Sequence, residues 1–183
     1  FLDEKLFTYV DGSGLHSSNE LLASAGAALV QLDLNGSIAR GVQLTLSKTE
    51  PQEANLCEHL TVAIACDHSL GKPFLVSDCM GVVTTFQKSE REAIDHRRRH
   101  AGLWKHSKAH EKLAGIVKIK AHTADDVEVP ALTVVYDLLS AGQATPEVLL
   151  QQHVFGNKEA DKWAKKAASR GMPTVAMAKQ LQL

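Results

Sequence analysis

Strand-like apolar segments separated by turn signals occupy the start of the chain. Leu6–Val10 is apolar and β-prone, and the Asp11–Gly14 segment that follows has the composition of a turn. A second apolar run covers Ala23–Leu32, and Asn35-Gly36 is a strong hairpin signal before the alternating segment Val42–Leu46. The pattern predicts three successive antiparallel strands, the first of which ends at Asp11.

The hydrophobic period then changes to that of a helix. Between Pro51 and Leu70, apolar residues recur at helical spacing, and Gly71 follows as an end signal. The next predicted elements are the strand Phe74–Asp78, the helices Met80–Glu92 and Leu103–Leu113, and the strand Ile116–Lys120.

The C-terminal part is predicted to be helical, with three separate segments. Two helices over Pro130–Ala141 and Pro146–Phe155 are joined by the breaker-rich segment 142–145, and a final alanine-rich helix covers Asn157–Arg170, with Gly171 as its C-cap. The order of elements predicts an α/β fold with a mixed five-stranded sheet flanked by helices and a helical insertion before the last helix.

Composition limits the class of protein. The chain has 183 residues, of which 44% are hydrophobic and 22% charged, so it suits one folded domain and not a disordered chain. No apolar run is long enough for a membrane span. The start lacks both Met and a signal-peptide pattern, so we expect a piece of a longer protein or a trimmed chain. The three cysteines are odd in number and form no CxxC pair, which favours a reducing, intracellular location.

The net charge of −1 hides an uneven distribution. Residues 88–120 contain ten basic and four acidic side chains, a net of +6, which leaves −7 for the rest of the chain. Residues 121–157 contain neither Lys nor Arg. A basic block within an acidic chain is typical of a polyanion-binding surface, although solvated charge runs are also common.

Four carboxylates lie near the ends of predicted elements: Asp11, Glu58, Asp78 and Asp161. Taken singly, each has an ordinary structural explanation, as a turn residue, a helix-dipole partner, an N-cap or a solvated charge. Taken together, they fit a site for hard divalent cations such as Mg²⁺, which prefer oxygen ligands and relieve carboxylate repulsion. Two such ions about 4 Å apart can promote phosphodiester hydrolysis.

Five motifs occur in order along the chain: Tyr9-Val10-Asp11-Gly12-Ser13, Asn55-Leu56-Cys57-Glu58, Val76-Ser77-Asp78, Ile119-Lys120-Ala121-His122 and Gly156-Asn157-Lys158-Glu159-Ala160-Asp161-Lys162-Trp163-Ala164. Their order resembles that of the type 1 ribonuclease H domain, including the copies found in retroelement and reverse-transcriptase polyproteins. The first and last are the most specific, and the resemblance covers residues 6–170.

The resemblance implies hydrolysis of the RNA strand of RNA/DNA hybrids by two Mg²⁺ ions, with Mn²⁺ as a substitute, leaving 3′-hydroxyl and 5′-phosphate ends. The four carboxylates match the family's metal ligands, and His122 matches its mobile catalytic histidine, so the implied catalytic residues are Asp11, Glu58, Asp78, His122 and Asp161. The predicted nucleic-acid contacts are Ser13, Asn55, Lys88, Arg91, Arg97, Arg98, Arg99 and Lys105. The implied partners are an RNA/DNA hybrid and an adjoining polymerase or reverse-transcriptase domain, with no membrane.

The predicted organisation is a ribonuclease H-like domain over residues 1–171, with a basic handle-like region at 86–112, an acidic helical insertion at 123–156, and a tail at 172–183. The insertion departs from the family pattern, because Asp161 follows His122 by 39 residues, a longer gap than compact members have. Asp125 and Asp126 are alternative ligands, ranked below Asp161 because of the Gly156-Asn157 motif. Leu56 replaces an expected Arg and predicts a weaker substrate contact there.

Other interpretations of the sequence remain open. The same fold could act on another nucleic acid, or serve as an inactive structural or connection domain beside a polymerase. A phosphate-binding NTPase is the furthest alternative, because the sequence contains no Gly-rich P-loop. Two histidine pairs, His96/His100 and His106/His110, have zinc-compatible spacing, but neighbouring Arg and Lys favour extra positive charge over a cation site. Trp104 is expected in the core.

Overall fold

The computed structural model describes residues 1–16, 18–33, 37–119 and 146–172, with side chains in the last range described from residue 152 onward. The strands are β1 (Phe7–Leu15), β2 (Ser24–Leu32), β3 (Ile38–Thr45), β4 (Phe74–Ser77) and β5 (Gly115–Lys118). The helices are α1 (Ala54–Asp67), α2 (Met80–Gln87), α3 (Glu90–Ala93), α4 (Ala101–Ser107), α5 (Ala109–Lys112) and α6 (Pro146–Arg170).

The five strands form one mixed sheet in the order β3-β2-β1-β4-β5. The first three strands pair antiparallel, and β4 joins β1 in parallel, as β5 joins β4. This confirms the predicted mixed five-stranded sheet flanked by helices. The parallel pairing places Val10 opposite Ser77, so the residues that follow them lie at the same end of neighbouring central strands.

Alternating side chains divide the core between the two faces of the sheet. Val10, Leu29 and Leu75 pack in one cluster with residues of the helices α1 to α5, Trp104 among them. Their neighbours Tyr9, Val30 and Val76 pack on the opposite face with Ala160 of α6. Trp104 is 2% exposed, which confirms its predicted place in the core.

The predicted end of β1 at Asp11 is wrong. The Asp11–Gly14 segment continues the strand to Leu15, because each of its residues pairs with a residue of β2, beginning with Asp11 opposite Ala28. Gly12 is required by packing and not by a turn: an added Cβ would lie 2.4 Å from the backbone nitrogen of Glu58. The glycine therefore lets α1 approach the strand.

The predicted break at Gly156 is also absent, because Pro146–Arg170 is one continuous helix. An added Cβ at Gly156 would lie 2.4 Å from ring atoms of Tyr9. The glycine therefore makes room for a buried aromatic ring, and residues 146–156 belong to the last helix instead of a separate helix of the insertion.

Two other helices are shorter than predicted. The helix from Met80 ends at Gln87, because the Ser89 and Glu92 side chains form a capping box that starts α3. The predicted helix Leu103–Leu113 is interrupted at Lys108, whose φ of 52° lies in the left-handed region. The Asn35-Gly36 turn, the helix Pro130–Ala141 and most of the tail lie outside the described residues.

Candidate active site

Asp11 and Asp78 meet at the centre of the sheet through strand register. Asp11 comes directly after Val10 in β1, and Asp78 comes directly after Ser77, the last residue of β4. Asp11 is 6% exposed and lies on the sheet face that Tyr9 shares with α6. The parallel pair thus brings together two carboxylates that are far apart in sequence.

Glu58 joins them from α1. It lies in the second turn of the helix and is 8% exposed. The close contact of α1 with Gly12 brings this turn onto β1, and the Gly12 backbone N–H acts to lower the pKa of both Asp11 and Glu58. One oxygen from each of Asp11, Glu58 and Asp78 lies within 4.8 Å of the others.

The electrostatics of this cluster favour a bound cation. Burial, followed by the negative charges of Asp78 and Asp161, raises the pKa of Asp11 to about 8. Burial, followed by the charges of Asp11 and Asp78, raises the pKa of Glu58 to about 9. The Oε2 atom of Glu58 is buried without a hydrogen-bond partner. Three converging carboxylates, one of which has an unsatisfied oxygen, fit a hard divalent cation such as Mg²⁺ or Mn²⁺.

Asp161 lies nearby but outside this group of three. Its charge contributes to the raised pKa of Asp11, so α6 brings it within electrostatic range of the cluster. Its Oδ2 atom accepts a hydrogen bond from Nζ of Lys165 at 2.7 Å, one helical turn later. The four carboxylates therefore divide into a converged triad and one that is paired with a lysine.

Asn157 belongs to the last sequence motif, and the structure adds it to the site as a polar contact of Asp78. Its Nδ2 atom donates a hydrogen bond to Oδ2 of Asp78 at 3.1 Å. The side chain is 7% exposed, and its Oδ1 atom is buried without a partner. Asn157 therefore orients Asp78. The sequence signal for this role was the position of Asn157, one helical turn before Asp161 on the same helix.

His122, Asp125 and Asp126 lie outside the described residues, so their roles stay predictions. Ser13 is buried in β1, two residues beyond Asp11, with 8% of its surface exposed. Asn55 is exposed at the start of α1, and its Oδ1 atom lies 2.7 Å from Nε2 of His100.

The basic region, residues 86–112, packs against the first turns of α1. Arg99 forms an ion pair with Glu53, and Nε1 of Trp104 donates a hydrogen bond of 2.9 Å to Nδ1 of His59. The His59 and His100 rings stack with centroids 4.4 Å apart. Burial, and secondarily the neighbouring His100, lowers the pKa of His59 to about 4, so this ring stays neutral. No pattern in the sequence indicates that His59 makes these contacts.

A cavity of about 450 Å³ opens beside this contact, and Lys88 and the three consecutive arginines are among the residues that line it. The arginines also contact the chain itself: Arg97 pairs with Asp95, and Nε of Arg98 donates to the Glu92 carbonyl. Arg91 and Lys105 are exposed. The predicted nucleic-acid contacts of the basic region thus divide between this cavity and the outer surface.

The two histidine pairs do not converge on common ligand positions. His96 lies beside Asp95 while His100 contacts Asn55. In the second pair, His106 faces Asp67, and Nε2 of His110 lies 3.0 Å from the Phe86 and Lys88 carbonyl oxygens. Among the described residues, the Asp11, Glu58 and Asp78 group is the one set whose ligand atoms converge as a metal requires.

Comparisons with known proteins locate the fold. No family model matches the chain, and no curated protein sequence matches it. The PFV RNase H domain in solution superposes with a TM-score of 0.61 at 18% identity, covering 90% of this chain and 94% of that one. The LC11 RNase H1, isolated from compost, superposes with a TM-score of 0.55 at 12% identity, covering 92% and 98%.

Longer proteins also contain a similar domain. The prototype foamy virus protease–reverse transcriptase superposes with a TM-score of 0.61 at 19% identity, and the match covers 89% of this chain but 20% of that protein. The chain thus spans about a fifth of that polyprotein's length. Together the comparisons show that the chain has the ribonuclease H-like fold.

In the part of the chain that the structure describes, no helix is both long and apolar enough to span a bilayer.

Proposed function

We propose that the protein is an endonuclease that hydrolyses the RNA strand of RNA/DNA hybrids and leaves 3′-hydroxyl and 5′-phosphate ends. The observation that carries this proposal is the convergence of Asp11, Glu58 and Asp78, with one oxygen of each within 4.8 Å of the others, on a ribonuclease H-like fold. A foamy viral protease–reverse transcriptase with a similar domain has been solved in complex with an RNA/DNA hybrid, which supports the choice of substrate.

The proposed cofactor is Mg²⁺, as two ions, with Mn²⁺ as a substitute. Asp11, Glu58 and Asp78 would hold a divalent ion through carboxylate oxygens, and Asp161 would contribute to the second position. When bound, such ions activate the attacking water and stabilise the leaving oxygen. Asn157 orients the Asp78 carboxylate for this task through its amide hydrogen bond. His122 is proposed to move protons or to assist product release.

Substrate binding is assigned to the basic region and to the predicted contacts Ser13 and Asn55. The net charge of +6 over residues 88–120 supports contacts with phosphates, which need no base sequence and weaken as salt rises. Lys88, Arg91 and Lys105 have side chains that form no ion pair among the described residues, so they are the first candidates for these contacts. Recognition of the hybrid would depend on 2′-hydroxyls and groove shape.

A second candidate is an inactive structural or connection domain beside a polymerase. One observation favours it: Arg97, Arg99 and Asn55 contact other residues of the chain, so they are not free for a ligand in this conformation. The buried carboxylates argue the other way, because mutual repulsion destabilises a fold unless a cation compensates it. A nuclease of the same fold that acts on another nucleic acid is the remaining alternative.

The proposed setting is intracellular, as part of a longer protein with an adjoining reverse-transcriptase domain. Cys57, Cys66 and Cys79 are all free thiols, as expected in a reducing compartment. The match to one fifth of the foamy virus protease–reverse transcriptase supports the adjoining domain.

The test is cleavage of an end-labelled RNA/DNA hybrid with Mg²⁺, Mn²⁺ or EDTA. We expect the wild-type chain to cut the RNA strand in either metal, EDTA to abolish cutting, and Asp78→Asn to abolish it in both metals. Asp67→Asn, which changes an exposed carboxylate at the end of α1, is the matched control and should cut normally. Equal cutting of double-stranded or single-stranded RNA would support another substrate, and a folded wild type that cuts nothing would support the connection-domain alternative.

A further inference from the structure

Lys165 lies beside Asp161, the fourth carboxylate of the site, and has no role in the proposed function. Nζ of Lys165 lies 2.7 Å from Oδ2 of Asp161, an i,i+4 pair on α6. The fourth acidic position is therefore already neutralised by a cation of the chain itself, whereas the ion pairs found among the described residues include none of Asp11, Glu58 and Asp78.

The ion pair lies at the rim of the acidic cluster. Asp161 raises the pKa of Asp11 and Lys165 lowers it, so both charges act on the cluster from α6. The side chains are 30% exposed for Asp161 and 54% exposed for Lys165. Partly exposed ion pairs are weak and exchange readily with solvent ions, so a divalent cation can displace the ammonium group.

We propose that Lys165 is a positioning residue that occupies Asp161 until a divalent cation displaces it, and that it thereby sets the concentration of divalent cation that the fourth carboxylate requires. The inference rests on the proposed function, in that Asp161 is taken to bind metal. Lys165 makes the second ion position weaker than the site of the triad, so the two positions fill at different cation concentrations.

A neighbouring lysine offers a matched control. Lys162 on the same helix pairs with Glu159 at 3.5 Å and is 72% exposed. Its charge is not among the main causes of the pKa shifts of Asp11 and Glu58. Lys162→Gln therefore removes one positive charge from α6 without removing the one that acts on the cluster.

The experiment measures Mn²⁺ binding to the full chain in the absence of nucleic acid, by calorimetry and by electron paramagnetic resonance of free Mn²⁺. Removing a unit charge that opposes a divalent ion at this range is expected to strengthen the weaker Mn²⁺ site about tenfold in Lys165→Gln. Lys162→Gln and the charge-preserving Lys165→Arg should bind Mn²⁺ like the wild type. Unchanged or weaker binding by Lys165→Gln, with its helix content intact, overturns the proposal.

A double-mutant cycle assigns the effect to Asp161. In an Asp161→Asn background the further change Lys165→Gln should strengthen Mn²⁺ binding much less than it does in the wild type, because the ammonium group no longer has the Asp161 carboxylate to occupy and only its direct repulsion of the ion remains. An undiminished effect there overturns the proposal. If the wild type binds Mn²⁺ and cuts the hybrid while Lys165→Gln changes nothing, the Lys165 inference alone fails. If the wild type neither binds Mn²⁺ nor cuts, the proposed function fails as well.

Discussion

The carboxylate triad makes a quantitative prediction about stability without metal. The folded-state pKa values of Asp11 and Glu58 are raised to about 8 and about 9, from ordinary values of 3.8 and 4.5. The folded protein therefore binds more protons than the unfolded chain between pH 4 and 8. The free energy of unfolding must fall as the pH rises through this window, by at most about 1.4 kcal/mol per pH unit for each carboxyl group.

Asp11→Asn tests this directly. With one oxygen of each carboxylate within 4.8 Å of the others, the repulsion between two unit charges is on the order of 3 kcal/mol at an effective dielectric constant of about 20. The substitution removes that repulsion and one titrating group, and it lowers the pKa of Glu58, to which the Asp11 charge contributes. In EDTA at pH 8.5 we expect the variant to be more stable than the wild type by about 2–3 kcal/mol.

The assay is urea unfolding in EDTA between pH 7.0 and 8.5. Buried His59 and half-buried His153 have lowered pKa values, so their contribution to stability rises with pH but is complete near the lower limit of this range. The wild type should lose stability steeply across the range and Asp11→Asn much less, while saturating Mg²⁺ should stabilise the wild type. Wild-type stability that is flat or rising with pH, or an Asp11→Asn variant no more stable at pH 8.5, would refute the reasoning.

Three further predictions concern packing and substrate binding. Gly12→Ala should destabilise the fold by roughly 1–3 kcal/mol, because the added methyl group meets backbone atoms of α1. Gly102→Ala has open space around it and should stabilise α4 by roughly 0.5–1 kcal/mol. Thermal unfolding of both variants checks these two changes. Trp104→Phe leaves Nδ1 of buried His59 without its donor and should cost about 1–3 kcal/mol in urea unfolding, and no loss would contradict the assigned hydrogen bond. Lys88→Ala should reduce the slope of log affinity against log salt for hybrid binding by about 1, and an unchanged slope would remove Lys88 from the phosphate contacts.

Sequence reasoning located most elements because their signals are local. The strand order along the chain, the helix after Pro51 and the short strand before Asp78 follow from apolar spacing and flanking turn residues, and the structure has all of them. The acidic motifs were found from their order along the chain. Their positions near the ends of predicted elements fitted a common cation site, and the structure places Asp11 and Asp78 at the same end of neighbouring strands.

Two of the errors, at Gly12 and Gly156, share one physical cause, which is that glycine has two uses. Gly12 and Gly156 were interpreted as a turn and a helix boundary, because glycine tolerates backbone conformations that other residues avoid. In the structure both serve close packing, Gly12 against α1 and Gly156 against the ring of Tyr9. The partner atoms lie far away in the sequence, so no local pattern distinguishes the two uses.

The sequence by itself determined the chemistry available: which carboxylates exist, their order along the chain, and the basic charge concentrated in one region. Only the tertiary structure decided how these groups interact. Strand register and the α1 contact bury Asp11 beside Glu58, and α6 brings Asn157 onto Asp78 from 79 residues away. Desolvation and charge repulsion depend on such long-range contacts, so the raised pKa values and the distinct position of Asp161 become visible only once the chain is folded.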